Sequence, residues 1–183
     1  GECAKDLITE GQFLIFCSLI FKQSNRIEIL CATQYGKSLI VAFAAIILTC
    51  LIGEKIAIVA PGTEQAQIIM RYYIEHLEDN PVFLSTLEYE DRNNYNRLKQ
   101  DRSKSRISLN NGGLIFVLSA QSKFISKSIT AAMGQGAETV LLDEAALVSD
   151  MTEATIFRMV AGKGEKGMYV KIGNPFERNH FFR

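Results

Sequence analysis

Short apolar runs alternate with segments of helical periodicity along most of the chain. Four runs have the length and composition of buried strands: Arg26 to Cys31, Lys55 to Ala60, Thr139 to Leu142 and Met168 to Ile172. The longest apolar run, Leu39 to Ile52, has 14 residues, which suits a helix buried against a sheet and is too short to span a bilayer. The strand, helix and strand between residues 26 and 60 predict a parallel pair with a right-handed crossover.

Four further segments complete the predicted architecture. Thr9 is placed as the cap of an apolar helix, and Thr63 as the cap of a helix extending to about Leu77. Gly53 is placed as the C-cap of the long apolar helix. Residues 107–118 contain two apolar runs around a turn rich in asparagine and glycine, which predicts a β-hairpin. Met151 to Val160 is predicted to be helical. We therefore expect one α/β domain over residues 1–183, with a mostly parallel sheet flanked by helices and an added hairpin near 107–118.

The charge of the chain is balanced overall but uneven along the sequence. The 183 residues include 20 basic and 20 acidic side chains, so global charge gives no support to nucleic-acid binding. A local patch stays open, because the stretch from Arg97 to Arg106 has five basic residues against Asp101 alone. It is either a solvated loop or a contact to DNA phosphates.

Cysteine and histidine usage indicates a reducing compartment. The four cysteines lack Cys-x-x-Cys spacing, which favours reduced, buried thiols. His76 and His180 are the only histidines, so a histidine-rich metal site is excluded. These features, together with the lack of a signal peptide at the start of the sequence, predict a cytoplasmic protein without a membrane partner.

The segment between the first predicted strand and the long apolar helix has the pattern of a phosphate-binding loop: Cys31-Ala32-Thr33-Gln34-Tyr35-Gly36-Lys37-Ser38. Gly36 permits a tight turn whose N–H groups face an anion, Lys37 reaches the outer phosphates, and the Ser38 hydroxyl ligates Mg²⁺. We expect nucleotide contacts from residues 33–38. Cys31 stands where the pattern usually opens with glycine, so the alternative is an ordinary helix N-terminus with a solvated lysine.

An apolar strand ends in Asp143 and Glu144, which are the carboxylates that a nucleotide hydrolase needs opposite its phosphate loop. Asp143 is predicted to hold Mg²⁺, and Glu144 to orient and deprotonate the attacking water. Taken alone, the pair also fits a helix N-terminus that favours negative charge. Together with Lys37 and Ser38, it predicts an ATPase that requires Mg²⁺, with Glu144 and Lys37 as its catalytic residues.

Five segments resemble, in order, motifs of the ATPase domain of the large terminase subunit of tailed bacteriophages: Ile8 to Gln12, Gln34 to Ser38, Ala60 to Ala66, Val140 to Ala145, and Gly173-Asn174-Pro175. The resemblance covers nearly the whole chain. It implies that Gln12 recognises adenine, that the second and fourth segments are Walker A and Walker B motifs, and that Gly173 and Asn174 couple hydrolysis to movement. The third segment is also similar to a motif of superfamily 2 helicases.

The resemblance implies a P-loop NTPase fold of the RecA (ASCE) type, with the coupling strand between the Walker A and Walker B strands. It further implies ATP hydrolysis that drives double-stranded DNA into a procapsid in the host cell cytoplasm. The expected partners are the portal protein and the small terminase subunit, in a ring when assembled and with a monomer as the alternative for the isolated chain.

Two departures from the family pattern bear on these expectations. Many terminases have an arginine in the loop where this chain has Thr33. Candidates for the missing cation are Arg158, Lys127 and the cluster from Arg97 to Arg106, or a residue of a neighbouring subunit. Large terminases also have a nuclease domain after the coupling motif, and the sequence ends at Arg183, so we expect the motor domain alone.

Two other functions fit the same motifs. The first motor domain of a superfamily 2 helicase has the same glutamine, Walker A and Walker B motifs. A regulatory module that binds nucleotide without turnover is the second alternative. Glu144 argues against it, because a protein that only binds nucleotide has no need of a carboxylate that activates water.

Overall fold

The structure, a computed structural model, describes residues 8–87, 105–120, 136–174 and 181. The sequence predictions that concern Cys3, Lys127, Pro175, His180 and most of the basic cluster from Arg97 to Arg106 lie outside these residues. Within them, the helices are α1 (Glu10–Ile20), α2 (Lys37–Cys50), α3 (Thr63–Asp79), α4 (Pro81–Leu84) and α5 (Asp150–Ala161). The strands are β1 (Arg26–Leu30), β2 (Lys55–Ala60), β3 (Arg106–Ser108), β4 (Leu114–Ser119), β5 (Thr139–Leu142) and β6 (Met168–Gly173).

The described strands form one sheet in the order β1-β6-β5-β2-β4-β3. Every neighbouring pair is parallel except β3 and β4. The predicted α/β class is confirmed, and β6 lies between β1 and β5 as the terminase resemblance implied. The hairpin is also confirmed, but it is part of the central sheet, since β4 pairs in parallel with β2 along its whole length.

Helices cover both faces of the sheet, and each face has its own apolar core. Helices α1, α2 and α3 pack on one face, where Ile46, Ile58 and Tyr73 are buried. Helix α5 covers the other face above Val140 and Tyr169. Burying both faces explains why the central strands are continuously apolar. No helix in the described ranges is long and apolar enough to cross a membrane.

The helix ends agree with the sequence in one case and differ in two. Thr9 caps α1 in a full capping box, in which its hydroxyl accepts from the Gln12 N–H and the Gln12 side chain accepts from the Thr9 N–H. Helix α3 is capped by Gly62, so the prediction of Thr63 as the cap was wrong by one residue. The C-cap of α2 is Leu51, not Gly53, which follows with φ at 81° and donates to the Thr49 carbonyl.

Candidate nucleotide-binding site

The predicted site residues come together at the carboxyl ends of three adjacent parallel strands. Strand β1 leads into the loop before Lys37, β5 leads directly into Asp143 and Glu144, and β6 ends at Gly173. Because β6 separates β1 from β5, the lysine loop and the carboxylates lie on either side of it. Ligands of open α/β sheets bind at this edge.

The loop between β1 and α2 has the backbone of an anion-binding turn. Gln34 has φ at 62° and Gly36 has φ at 79°, both in the left-handed region. Gly36 is the N-cap of α2. Because glycine has no side chain, no capping side chain accepts a hydrogen bond from the first N–H groups of that helix. Lys37 is the first residue of α2 and Ser38 the second, so both lie at the positive end of its dipole.

Lys37 brings the two halves of the site into contact. Its Nζ forms an ion pair with Glu144 Oε1 and lies 3.7 Å from Asp143 Oδ1. Burial alone lowers the pKa of Lys37, but the hydrogen bond to Glu144 and the charge of Asp143 outweigh it, so the pKa is raised. Lys37 therefore remains charged, as binding of a phosphate requires.

Asp143 is a buried carboxylate with an unsatisfied oxygen. Lys37 Nζ, at 3.7 Å, is too far from Oδ1 for a normal hydrogen bond, no other described residue donates one, and only 4% of Asp143 is exposed. Burial raises its pKa, against the opposing effect of Lys37. An orphaned carboxylate oxygen beside a helix that begins with Lys37 and Ser38 fits Mg²⁺, which takes one or two carboxylates, a hydroxyl and phosphate oxygens. Ser38 and Asp143 are the residues that would hold it.

Glu144 has left-handed backbone, with φ at 49° and ψ at 46°. This conformation is uncommon for a residue with a side chain and is found at active sites. Gly173 lies against it, since a Cβ built on Gly173 would be 3.3 Å from the Glu144 Cα. The end of β6 thus lies close to the backbone of the predicted base, with no room for a side chain between them, while Asn174 is exposed beyond it.

Gln12 and Tyr35 join the start of α1 to the phosphate loop. Gln12 Nε2 donates to the Tyr35 carbonyl at 2.8 Å, and the Tyr35 and Thr9 hydroxyls lie 3.2 Å apart. A side chain on Gly11 would overlap the Tyr35 hydroxyl. An open cleft of about 550 Å³ begins beside this contact and continues between α1 and β1, with Leu14 and Ala32 among its lining residues.

Three residues that lie next to the site belong to predicted elements, but sequence reasoning gave them no role there: Thr9, Gly11 and Cys31. The Thr9-x-x-Gln12 spacing signals a capping box, but its contact with Tyr35 depends on the packing of α1 against the loop. Cys31 is half-buried near Lys37, and burial raises the pKa of its thiol more than Lys37 lowers it. Thr33 and Gln34 are exposed on the loop. Neither takes part in the described contacts that link the loop to α1 or to the carboxylates.

Neither a protein-family profile nor a curated protein sequence matches this chain. Solved structures do. The large terminase ATPase domain of Thermus phage P74-26 is 21% identical with a TM-score of 0.65, over 91% of this chain and 66% of that one. The large terminase of bacteriophage HK97 is 19% identical with a TM-score of 0.66, over 92% of this chain and 33% of that one. The large terminase of the thermophilic bacteriophage D6E in complex with ADP is 12% identical with a TM-score of 0.52, over 92% and 39%.

These similarities define the fold. The chain has an α/β fold of the P-loop class, with a mostly parallel sheet between helical layers. More narrowly, it has the fold of phage large terminase ATPase domains, which confirms the resemblance at that level. The chain spans about two thirds of the P74-26 domain and one third of the HK97 protein.

Proposed function

We propose that this protein is the ATPase of a viral DNA-packaging motor. The observation that carries the proposal is the convergence of Lys37, Asp143 and Glu144 in a fold shared with large terminase ATPase domains. One of those similar proteins was solved with ADP, which supports nucleotide as the ligand class. In this proposal the chain hydrolyses ATP with Mg²⁺, and hydrolysis moves double-stranded DNA into a procapsid in the host cytoplasm.

Each residue has a separate task in the proposed reaction. Residues 33–38 and the N-terminus of α2 bind the phosphates, with Lys37 on the outer ones. Ser38 and Asp143 would hold Mg²⁺, which would neutralise charge on the phosphate oxygens. Glu144 orients the attacking water and accepts its proton. For that task Glu144 must leave Lys37, and bound phosphate provides the replacement partner for the lysine.

Movement of DNA requires that the change at the phosphates reach another part of the protein. A side chain on Gly173 would meet the backbone of Glu144, and this closeness supports the proposal that the end of β6 senses the state of the base. We assign Gly173 and Asn174 this coupling role. The portal protein and the small terminase subunit are the proposed partners, in an assembled ring. A cation from a neighbouring subunit would supply the charge that Thr33 does not.

Hydrolysis measured against different nucleic acids tests the proposal. Phosphate release from ATP is followed for the purified protein in Mg²⁺ or EDTA, with double-stranded DNA, single-stranded DNA or no DNA. We expect hydrolysis that depends on Mg²⁺ and is stimulated most by double-stranded DNA. The basal rate should be slow, because a cation supplied in trans is worth roughly 10³ to 10⁵ in rate. Stimulation by single strands alone favours the helicase alternative. Binding without any turnover favours the regulatory module.

A further inference from the structure

The side chain of Gln12 is hydrogen-bonded at both ends within the protein. Its Oε1 accepts from the Thr9 N–H at 2.8 Å, and its Nε2 donates to the Tyr35 carbonyl at 2.8 Å. Reading the edge of adenine would require Gln12 to share or break these bonds. In this arrangement the side chain is instead a bridge between the cap of α1 and the phosphate loop.

The bond to the Tyr35 carbonyl fixes the direction of the next N–H group. In a trans peptide the carbonyl of one residue and the N–H of the following residue point in opposite directions, and the described backbone contains no cis peptide. With the Tyr35 carbonyl held toward α1, the Gly36 N–H points away from α1. Gly36 directly precedes Lys37, so this N–H belongs to the turn that faces the phosphate site.

This peptide needs an external restraint because of the residues around it. Rotation of the peptide between Tyr35 and Gly36 changes φ of Gly36, and glycine accepts both signs of φ at little cost. Gln34, one residue before, is already in the left-handed region with φ at 62°. Gln12 fits closely against the turn, since a Cβ on Gly36 would lie 2.6 Å from Gln12 Nε2.

We propose that Gln12 is a positioning residue for the phosphate loop: by holding the Tyr35 carbonyl, it directs the Gly36 N–H toward the bound phosphates. The inference rests on the proposed nucleotide binding and assigns Gln12 a role different from adenine recognition. Its consequence is that Gln12 contributes to the binding of any polyphosphate, with or without a base.

Tripolyphosphate separates positioning from base reading, because it has neither base nor ribose. Affinities for ATP, GTP and tripolyphosphate are measured by calorimetry in Mg²⁺ for the wild type and Gln12→Ala. A hydrogen bond to a charged group is worth about 1.5–3 kcal/mol, so we expect all three affinities to fall by the same factor, roughly tenfold or more. The ratio of ATP to GTP affinity stays unchanged.

Two controls account for damage to α1. Thr9→Ala removes the capping hydroxyl and its 3.2 Å contact with the Tyr35 hydroxyl but keeps the Gln12 bond to the Tyr35 carbonyl, so its affinities should fall clearly less than those of Gln12→Ala. Gln23→Ala removes a glutamine that bonds Ser18 at the far end of α1 and should have no effect.

The outcomes are distinguishable. A loss confined to ATP, or an ATP to GTP ratio that collapses in Gln12→Ala, overturns positioning and assigns Gln12 to the base. A loss in Thr9→Ala as large as in Gln12→Ala also overturns it, because capping would then be the cause. If tripolyphosphate binds too weakly to measure, the ATP to GTP ratio decides. Wild-type protein that binds none of the three ligands refutes the proposed function itself.

Discussion

Each end of the sheet has a lysine paired with a buried carboxylate, but only one of the two pairs is satisfied. At the amino ends of the strands, Lys22 Nζ lies 3.0 Å from Glu54 Oε1, and Thr139 donates to the same oxygen. At the carboxyl ends, Lys37 is shared between Asp143 and Glu144, and Asp143 Oδ1 accepts no hydrogen bond of normal length from a described residue, since Lys37 Nζ is 3.7 Å away.

Backbone strain does not distinguish the two ends, because Lys22 with φ at 45° is as left-handed as Glu144 at 49°. Hydrogen bonding does. Buried polar groups in folded proteins are normally satisfied, so a complete network indicates a structural role. An incomplete network, in which two carboxylates share one lysine, indicates a site where a ligand completes the bonding. We therefore expect substitutions at the carboxyl end to change nucleotide binding more than stability, and substitutions at the amino end to change stability more than nucleotide binding.

The largest effect on binding is expected at Lys37. Lys37→Met keeps most of the aliphatic stem and removes the charge, so ADP affinity should fall by about 10- to 150-fold, which corresponds to 1.5–3 kcal/mol for a hydrogen bond to a charged group. A fluorescent-nucleotide titration measures it, with the exposed Lys163→Met as control. Unchanged affinity would mean that the open network is not a phosphate site.

The matching change at the closed end should act on stability. Lys22→Met leaves Glu54 buried without its ion-pair partner. Breaking a buried pair costs about 3–5 kcal/mol, and since the Lys22 side chain is 31% exposed we expect about 2 kcal/mol here. Urea unfolding gives the change, and ADP affinity of the folded protein should equal that of wild type. Weakened binding at full stability would contradict the division between the two ends.

Asp143→Asn sharpens the comparison at the open end. Burial disfavours the charged carboxylate, so its removal should leave the free energy of unfolding within about 1 kcal/mol of wild type or slightly higher. The same variant should lose the Mg²⁺-dependent part of its ADP affinity. Unfolding and titration in Mg²⁺ and in EDTA measure both. A large loss of stability would assign Asp143 to the structure and not to the metal.

The smallest expected effect is an increase in affinity. Glu144 occupies Lys37 in the structure, so an arriving phosphate must displace it. Glu144→Gln weakens this competitor, and ADP should bind a few-fold more tightly in EDTA, where no metal contributes. ADP excludes any contribution from arrested hydrolysis. Weaker binding of ADP by this variant would show that the ion pair supports the site and does not compete with nucleotide.

The order of elements could be predicted from the sequence because each depends on a local pattern. The strand before Asp143 has the bounds that its hydrophobic pattern indicates, and α2 begins and ends two residues before the apolar run that predicts it. The position of β6 between β1 and β5 came from the family resemblance, since no local pattern encodes strand order. The same limit applies to contacts between distant segments. Gln12 and Tyr35, or Lys22 and Glu54, meet only because helices pack on the sheet.

Steady-state phosphate release by the wild type and Glu144→Gln, at saturating ATP and Mg²⁺, tests the central claim most directly. Gln keeps the shape of the side chain and removes the base, so the account predicts turnover lower by roughly 10² to 10⁴, with nucleotide still bound. The exposed Glu165→Gln, at the opposite end of β6, should match wild type. Equal turnover in wild type and Glu144→Gln would contradict the assignment of hydrolysis to the carboxyl end of this sheet.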